Sequence, residues 1–374
     1  MYKALTMFLL LVLFISFSCK KDKTDKDISY YNIANFICND ALVDTDGTSI
    51  LMVGNTNVSG NDVNIGIIKI NKSDGTIIWN KNYGGIHTEK GIRIKATTDG
   101  YLIGGISNDA LGQPSDLLMI KIDANGNKLW EKEYGGSADE SIANMIIRSN
   151  GNIIIAGTTK SYGAGDRDVI FFETDANGNE IQFKTFGGTG LDGSSDLLQH
   201  TNILYTLAYT TSIGNGDRDI WLMALNEGLD TLWTKAIGTN LYEESSSITL
   251  TNDNQILLCG HSGTFPMHSG FLAKYSLDGS KIFETMYGAA DHDGFQYAQQ
   301  LLDNNIKSIG YSSSFGNGEQ AYIITTDQNG TLSKEENFGD ANNQRLHKLL
   351  EDEVNIYFLG ADNLTDCYFQ KLKK

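Results

Sequence analysis

Trp130-Glu-Lys-Glu-Tyr134-Gly135-Gly136 decides how this chain folds, because it returns down the sequence at a nearly fixed interval. Its relatives are Trp79-Asn-Lys-Asn-Tyr83-Gly84-Gly85, Gln182-Phe-Lys-Thr-Phe186-Gly187-Gly188, Trp233-Thr-Lys-Ala-Ile237-Gly238-Thr239, Phe283-Glu-Thr-Met-Tyr287-Gly288-Ala289 and Lys334-Glu-Glu-Asn-Phe338-Gly339-Asp340. The first glycines, at 84, 135, 187, 238, 288 and 339, are 51, 52, 51, 50 and 51 residues apart. A period of this length marks propeller blades or solenoid turns, in which each repeat is one supersecondary unit stacked on its neighbours.

One period resolves into strands. Ser141–Arg148, Ile153–Thr158, Asp168–Thr174 and Glu180–Phe186 are each rich in Ile, Val, Phe or Thr and bounded by turn residues. Ser149-Asn-Gly151 and Asp175-Ala-Asn-Gly178 place Asn and Gly where tight antiparallel turns need positive φ. Four antiparallel strands per period make a propeller blade. The last residues, from Gln344 on, supply only three strands, near Leu346–Leu350, Asn355–Gly360 and Cys367–Leu372. Ile28–Asn32, ahead of a first inner strand at Phe36–Val43, supplies the fourth, so the sequence predicts an all-β, seven-bladed β-propeller closed by an N-terminal strand.

Ahead of the repeats stands a different kind of sequence. Lys3 precedes an apolar run from Met7 to Ile15 and then Ser16-Phe17-Ser18-Cys19, the layout of a signal peptide over residues 1–18. The run is too short to span a bilayer comfortably. The cysteine at the cleavage point resembles a bacterial lipobox, which makes Cys19 the expected site of lipidation, although Ser16 stands where a Leu is usual. Residues 19–27 are a charged tether that lacks the apolar surface needed to fold. The Ser-Cys-Lys-Lys-Asp context resembles lipoproteins of the Bacteroidota. It implies a lipid-anchored domain, residues 28–374, at the outer membrane, on its periplasmic face or at the cell surface.

Forty Gly against two Pro suit many short strands joined by turns. The formal charge of −17 argues against nucleic acid, whose phosphates need Lys and Arg. Cys38, Cys259 and Cys367 show no zinc spacing or disulfide framework, and Cys259 in Ile256-Leu-Leu-Cys-Gly260 reads as a buried small hydrophobe.

Recurrence of Trp79, Trp130, Trp233 and Phe283 at one depth per blade points to packing between blades, with Gln182 and Lys334 showing that single blades do without the aromatic. Asp123-Ala-Asn-Gly-Asn-Lys-Leu-Trp130 is similar to the tryptophan-docking motif of quinoprotein-like propellers, one residue shorter between Asp and Trp. The whole repeat looks more like the propeller arrays of Bacteroidota exported proteins, including bulb-type lectin-like ones. The resemblance covers residues 36 to 374 and implies a scaffold rather than an activity.

In a meandering blade, the loop from the outer strand to the next inner strand and the loop between the second and third strands emerge on one face. That face collects acids at the entrance of each inner strand: Glu89, Glu140, Asp192, Glu243 and Glu244, then Asp291, His292 and Asp293. These are the candidate ligand-binding residues. Three readings fit them: carboxylates that fix tight turns, a Ca²⁺ site, or a surface for an extracellular glycan or protein with Tyr162, Trp221, Phe265 and Phe315 as stacking faces. The cofactor, and with it any metal, is otherwise open. The period is broken most clearly at Asp291-His292-Asp293 together with His261 and His268, a set able to bind metal or move protons, though loop histidines without fixed ligand spacing more often face solvent. The expectation is a non-catalytic binding or scaffolding module for a glycan or protein. The alternative is a glycan-active enzyme of glycoside hydrolase type, or a calcium-dependent lectin.

Overall fold

The computed structural model describes residues 28–57, 63–85, 88–108, 113–264, 267–289, 291–316, 318–339, 343–362 and 366–374. Cys19, the signal segment, the charged tether and Phe265 lie outside the described residues.

Seven four-stranded antiparallel sheets make the propeller. In six of them the strands follow chain order, as in blade 3 with Glu140–Ile147, Ile153–Thr159, Asp168–Thr174 and Glu180–Phe186. The seventh is composite: Ile28–Ile33 pairs antiparallel with Asp366–Lys373, Ile28 opposite Leu372 and Ile33 opposite Cys367. The N-terminal strand thus supplies the outer edge of the last blade, as the sequence predicts, and closes the ring.

Burial follows position in the blade. Every residue of Ile153–Thr159 and Asp168–Thr174 is buried, because neighbouring blades cover both faces of the middle strands and leave no polar side. The outer strand Glu180–Phe186 keeps exposed and half-buried positions. Apolar clusters bridge blades; Leu102 and Met119 of blade 2 pack with Met145, Ile155 and Phe172 of blade 3.

The opening motif works as a clamp between blades. Trp130 lies against Gly178 in the turn of the next blade, where an added Cβ would come within 3.0 Å of the indole. Gly178 also has φ of 75°, which only glycine adopts without strain. Four residues after the tryptophan, the buried Tyr134 hydroxyl donates to the Gly178 carbonyl at 2.7 Å. Tyr83 repeats the bond to Gly126 at 2.6 Å, and Tyr287 repeats it to Gly330. Spacing of four residues on a strand places both rings on one side, so a single turn is gripped twice.

Each inner strand carries one register shift, between Cys38/Asp40, Gly91/Arg93, Ile142/Asn144, Ser194/Asp196, Ser245/Ser247, Phe295/Tyr297 and Leu346/Lys348. A bulge bends its strand and re-aims side chains. Here it sends polar groups across to the next blade: Asp40 accepts from the Ile94 amide at 3.2 Å, Asp196 from the Ile248 amide at 2.9 Å, and Ser247 from the Ala298 amide at 3.2 Å.

Candidate functional site

The acids at the inner-strand entrances occupy equivalent places and make equivalent bonds. Glu89 accepts from the Gly85 amide at 3.0 Å, Glu140 from Gly136 at 3.1 Å, Asp192 from Gly188 at 2.7 Å, Glu243 from Thr239 at 3.1 Å and Asp293 from Ala289 at 2.8 Å. Glu140, Asp192, Glu243 and Asp293 are exposed by 2 % or less. Second oxygens are also engaged: Glu140 accepts from Thr159 and Glu243 from Ser262, at 2.7 and 2.8 Å, and Asp293 from Ser312. These are the bonds of turn-holding carboxylates. Asp291 differs; it is exposed and accepts from the His292 amide.

The first glycine of each pair is explained by the same contacts. An added Cβ on Gly187 would sit 2.0 Å from Asp168 Oδ1 and 2.8 Å from Asp192 Oδ2. On Gly238 it would sit 2.1 Å from Asp219 and 2.7 Å from Glu243. Two carboxylates, one from each blade, close over a backbone that has no room for a side chain. Burial, and then the Glu243 charge, raises the Asp219 carboxyl above its ordinary range.

The histidines form the one aromatic and basic cluster of this face among the described residues. His261 lies in the latter half of the strand Ile256–Thr264, His268 is the second residue of Met267–Tyr275, and His292 stands immediately before Asp293–Gln300 of the next blade. Their rings follow one another at 4.7 and 5.0 Å between centroids. The hairpin strands run further than a loop over Gly260 to His268 implies, so His268 is 5 % exposed rather than solvent-facing.

Tyrosines and arginines flank the imidazoles on both sides. Tyr242 stacks on His261 at 6.1 Å, and Tyr311 lies 5.0 Å from His292. Arg218 lies over the rings of Tyr209 and Tyr242, at 4.3 and 4.9 Å, and pairs with Glu244 at 2.9 Å. Arg345 mirrors it, 4.5 Å from the Tyr311 ring and paired with Glu319 through Nε and a terminal nitrogen. Glu319 also lies 3.7 Å from His292 Nδ1. The cluster crosses blades 4 to 7 at the mouth of the channel.

Its electrostatics favour the neutral form of His261 and His268 and keep the phenols of Tyr242 and Tyr311 protonated. Burial, reinforced by His268, pulls His261 down to about 4 against the opposing Glu244 charge. Burial and the neighbouring His292 lower His268. Burial also pushes Tyr242 and Tyr311 up to about 12. His261 Nδ1 and Arg218 Nε are buried with no hydrogen-bond partner among the described residues.

Of the residues singled out in the sequence, the structure brings His261, His268 and His292 together and sets Asp291 beside them. It separates Glu243 from Glu244: the first is locked into a turn, the second faces Arg218 and Tyr242. Trp221 is 8 % exposed and bonded to Thr234, and Tyr162 donates to the Gly135 carbonyl at 2.9 Å, so both belong to the frame. Phe315 remains exposed and packs on Tyr322 at 5.6 Å. Tyr209, Tyr242, Tyr311 and Arg345 were missed, since nothing local in the sequence announces them. No group of three His, Cys, Asp or Glu among the described residues is arranged to hold a metal ion. Larger hollows, of about 820 and 790 Å³, lie on the opposite face around Arg148 and Ser149; the first holds Trp130 and the Lys121–Asp99 pair, and neither contains a histidine.

No family profile and no curated protein matches this chain. Many solved structures share its fold. An ulvan lyase of polysaccharide lyase family PL25 aligns over 91% of this chain and 94% of its own, with TM-score 0.58 and 11% identity. The WD40 domain of Neurospora crassa Pan2 aligns over 90% and 89%, with TM-score 0.56 and 11% identity. A puromycin hydrolase aligns over 84% of this chain but 49% of its own, with TM-score 0.54 and 10% identity. At such identities the likeness establishes the propeller fold, which serves WD40 domains, lyases and hydrolases alike. The expectation of a non-catalytic module is corrected here. Besides these, the solved propellers that resemble the chain include a second polysaccharide lyase and a protease propeller from Pyrococcus furiosus, so the fold gives no ground for expecting an absence of catalysis. The recurrence that assigns the rim acids to turns says nothing against catalysis at the histidine cluster, which does not recur.

Proposed function

We propose that this propeller is a glycan-active enzyme that cleaves an acidic polysaccharide by β-elimination at the mouth of blades 4 to 7. The observation that carries this reading is the run His261, His268, His292, with 4.7 and 5.0 Å between successive rings, set between Arg218 and Arg345. Elimination beside a uronate needs a base for the proton next to the carboxylate, donors that spread the charge of the carbanion, and an acid for the leaving oxygen. A neutral imidazole suits the first role, an arginine the second and a protonated Tyr242 or Tyr311 the third. Hydrolysis instead requires two carboxylates across the scissile bond. Glu244 and Glu319, carboxylates beside the imidazoles, are each bound to an arginine, which favours elimination. The likeness to polysaccharide lyases supports the reading at the level of the frame.

The test is incubation of the purified protein with a panel of uronate-containing polysaccharides, read as the ultraviolet absorbance of an unsaturated product. His292→Ala is expected to abolish the signal with the melting temperature retained. New reducing ends without absorbance would replace elimination by hydrolysis, and neither signal on any substrate would sink the enzyme reading.

We further infer that the enzyme belongs to the exported lipoproteins of the Bacteroidota and is anchored through Cys19 at the outer membrane. The signal-like run, the cysteine and the charged tether support this. A labelled fatty acid should enter the wild-type chain and not Cys19→Ala; label in both would remove the anchor.

A further inference from the structure

Deeper in the channel, past the histidine mouth, the inner strands enclose a cavity of about 60 Å³. That is roughly twice the share of one water in the liquid, room for a small ion and too little for a sugar ring. Its charged lining is Arg93, Lys95 and Lys348 against Asp40 and Asp196, three cations to two carboxylates.

Both carboxylates are already committed. Asp196 accepts from Asn144 Nδ2 at 2.6 Å, from the Leu197 amide at 2.8 Å and from the Ile248 amide at 2.9 Å. Asp40 takes the Ile94 amide at 3.2 Å and Lys348 at 3.1 Å. Lys95 is left over: among the described residues no acceptor bonds its ammonium, and Arg93 donates only to the Ile92 carbonyl. Burial lowers the Lys95 ammonium, and Lys348 and Arg93 repel it while Asp40 and Asp196 oppose them. Neutral donors face the same space from other blades, in Ser246 and Gln296. Both sit at the extra position of a bulge, which the ladder leaves unpaired.

We propose that this cavity is a binding site for a tetrahedral oxyanion, phosphate or sulfate, held by Lys95 and Arg93 with donors converging from the ring of blades. An anion with acceptors in several directions fits donors that arrive from several blades, and its charge offsets the unpaired ammonium. The site lies apart from the histidine cluster and does not rest on the elimination chemistry. It would add to the inter-blade bonds of Asp40 and Asp196 in tying blades together at the axis.

The experiment is thermal unfolding of the full protein in phosphate, in sulfate and in acetate, each against chloride at equal ionic strength. Above the dissociation constant, phosphate or sulfate should raise Tm by about 2 °C per tenfold in concentration, since a site specific to the folded state stabilises logarithmically. Whichever of the two acts at lower concentration is the preferred ion. Lys95→Met should lose the response while melting no lower than wild type in chloride, because it removes a half-buried cation that Lys348 and Arg93 repel. His347 also lines the cavity, and burial together with Arg345 holds it down to about 4. In the unmodified protein its imidazole resonance should therefore titrate at higher pH once phosphate is bound, a readout independent of whether Lys95→Met folds. A shift equal in wild type and Lys95→Met, a response to acetate alone, or an unmoved His347 would overturn the proposal.

Discussion

Replacing Gly187 by alanine tests the physical reason for the repeat's glycine pair. The added methyl would stand 2.0 Å from Asp168 Oδ1 and 2.8 Å from Asp192 Oδ2, distances no real Cβ tolerates. Neither carboxylate yields freely. Asp168 Oδ2 holds the Ala164 and Gly165 amides, both at 3.0 Å, and Asp192 Oδ2 holds the Gly188 amide at 2.7 Å and the Ser212 hydroxyl at 2.6 Å. Overpacking costs about 1–3 kcal/mol, and a hydrogen bond to a charged group lost as the carboxylate swings away about 1.5–3 kcal/mol. Together these give about 2.5–6 kcal/mol. For a domain of roughly 350 residues this lowers Tm by about 3–8 °C, from the usual unfolding entropy per residue. Denaturant unfolding with a double-mutant cycle isolates the cause. In an Asp168→Ala background the methyl has its space, so Gly187→Ala should cost at least about 1 kcal/mol less than in wild type. Equal costs in both backgrounds would refute the steric argument and leave backbone conformation as the role of the glycine.

Two further outcomes follow from the same structure. Tyr134→Phe removes the donor to the Gly178 carbonyl and should destabilise by about 1 kcal/mol, measured by chemical denaturation; no change would mean the motif's hydroxyl is idle. Acid should also destabilise the fold. His261 and His347 titrate near 4 when folded against 6.5 in the free side chain, chiefly through burial, so the unfolded chain binds more protons between those values. Stability is then full above about 6.5, falls as pH drops through that window and is wholly lost from this source below about 4, at up to about 3 kcal/mol per histidine. A glutamine at either position should flatten the pH dependence of Tm, and an unchanged profile in both variants would reject the buried-neutral assignment.

The frame was legible because its signals are local. Asp175-Ala-Asn-Gly178 marks a turn wherever it stands, and the strands Asp168–Thr174 and Glu180–Phe186 end where those turn residues end them. Closure by Ile28–Ile33 followed from counting strands, since three strands after Gln344 demand a fourth. The site was legible only in part. His261, His268 and His292 broke the period and were visible for that reason. The burial of His268 was not, because it depends on Tyr242 arriving from the first strand of its own blade and on His292 arriving from the next blade. Glu243 and Glu244 are adjacent in sequence, yet the pleat sends one into a turn and the other to Arg218.

Where repeats and function meet is a single position at each blade junction. A residue at or beside the start of the third strand of one blade bridges, in parallel, a residue at or beside the start of the inner strand of the next: Val63 with Thr88, Arg167 with Leu191, Arg218 with Tyr242, His268 with His292. Backbone geometry is held there by the neighbouring amides, as in Asp192 donating to the Arg167 carbonyl at 2.9 Å and Glu243 to the Arg218 carbonyl at 2.9 Å. The main chain is therefore the same at each junction while the side chains are free to differ. Glu319 occupies the corresponding place one blade further on, its carbonyl taking the Gln344 amide at 3.0 Å. Consecutive junctions thus read Arg and Tyr, then His and His, then Glu beside Arg345, and these are the groups that assemble the cluster. A turn-holding acid directly follows the variable residue in Tyr242-Glu243 and His292-Asp293, so the constant position anchors the loop and the one before it carries the chemistry. Acids that recur are the means by which histidines that do not recur are held in place.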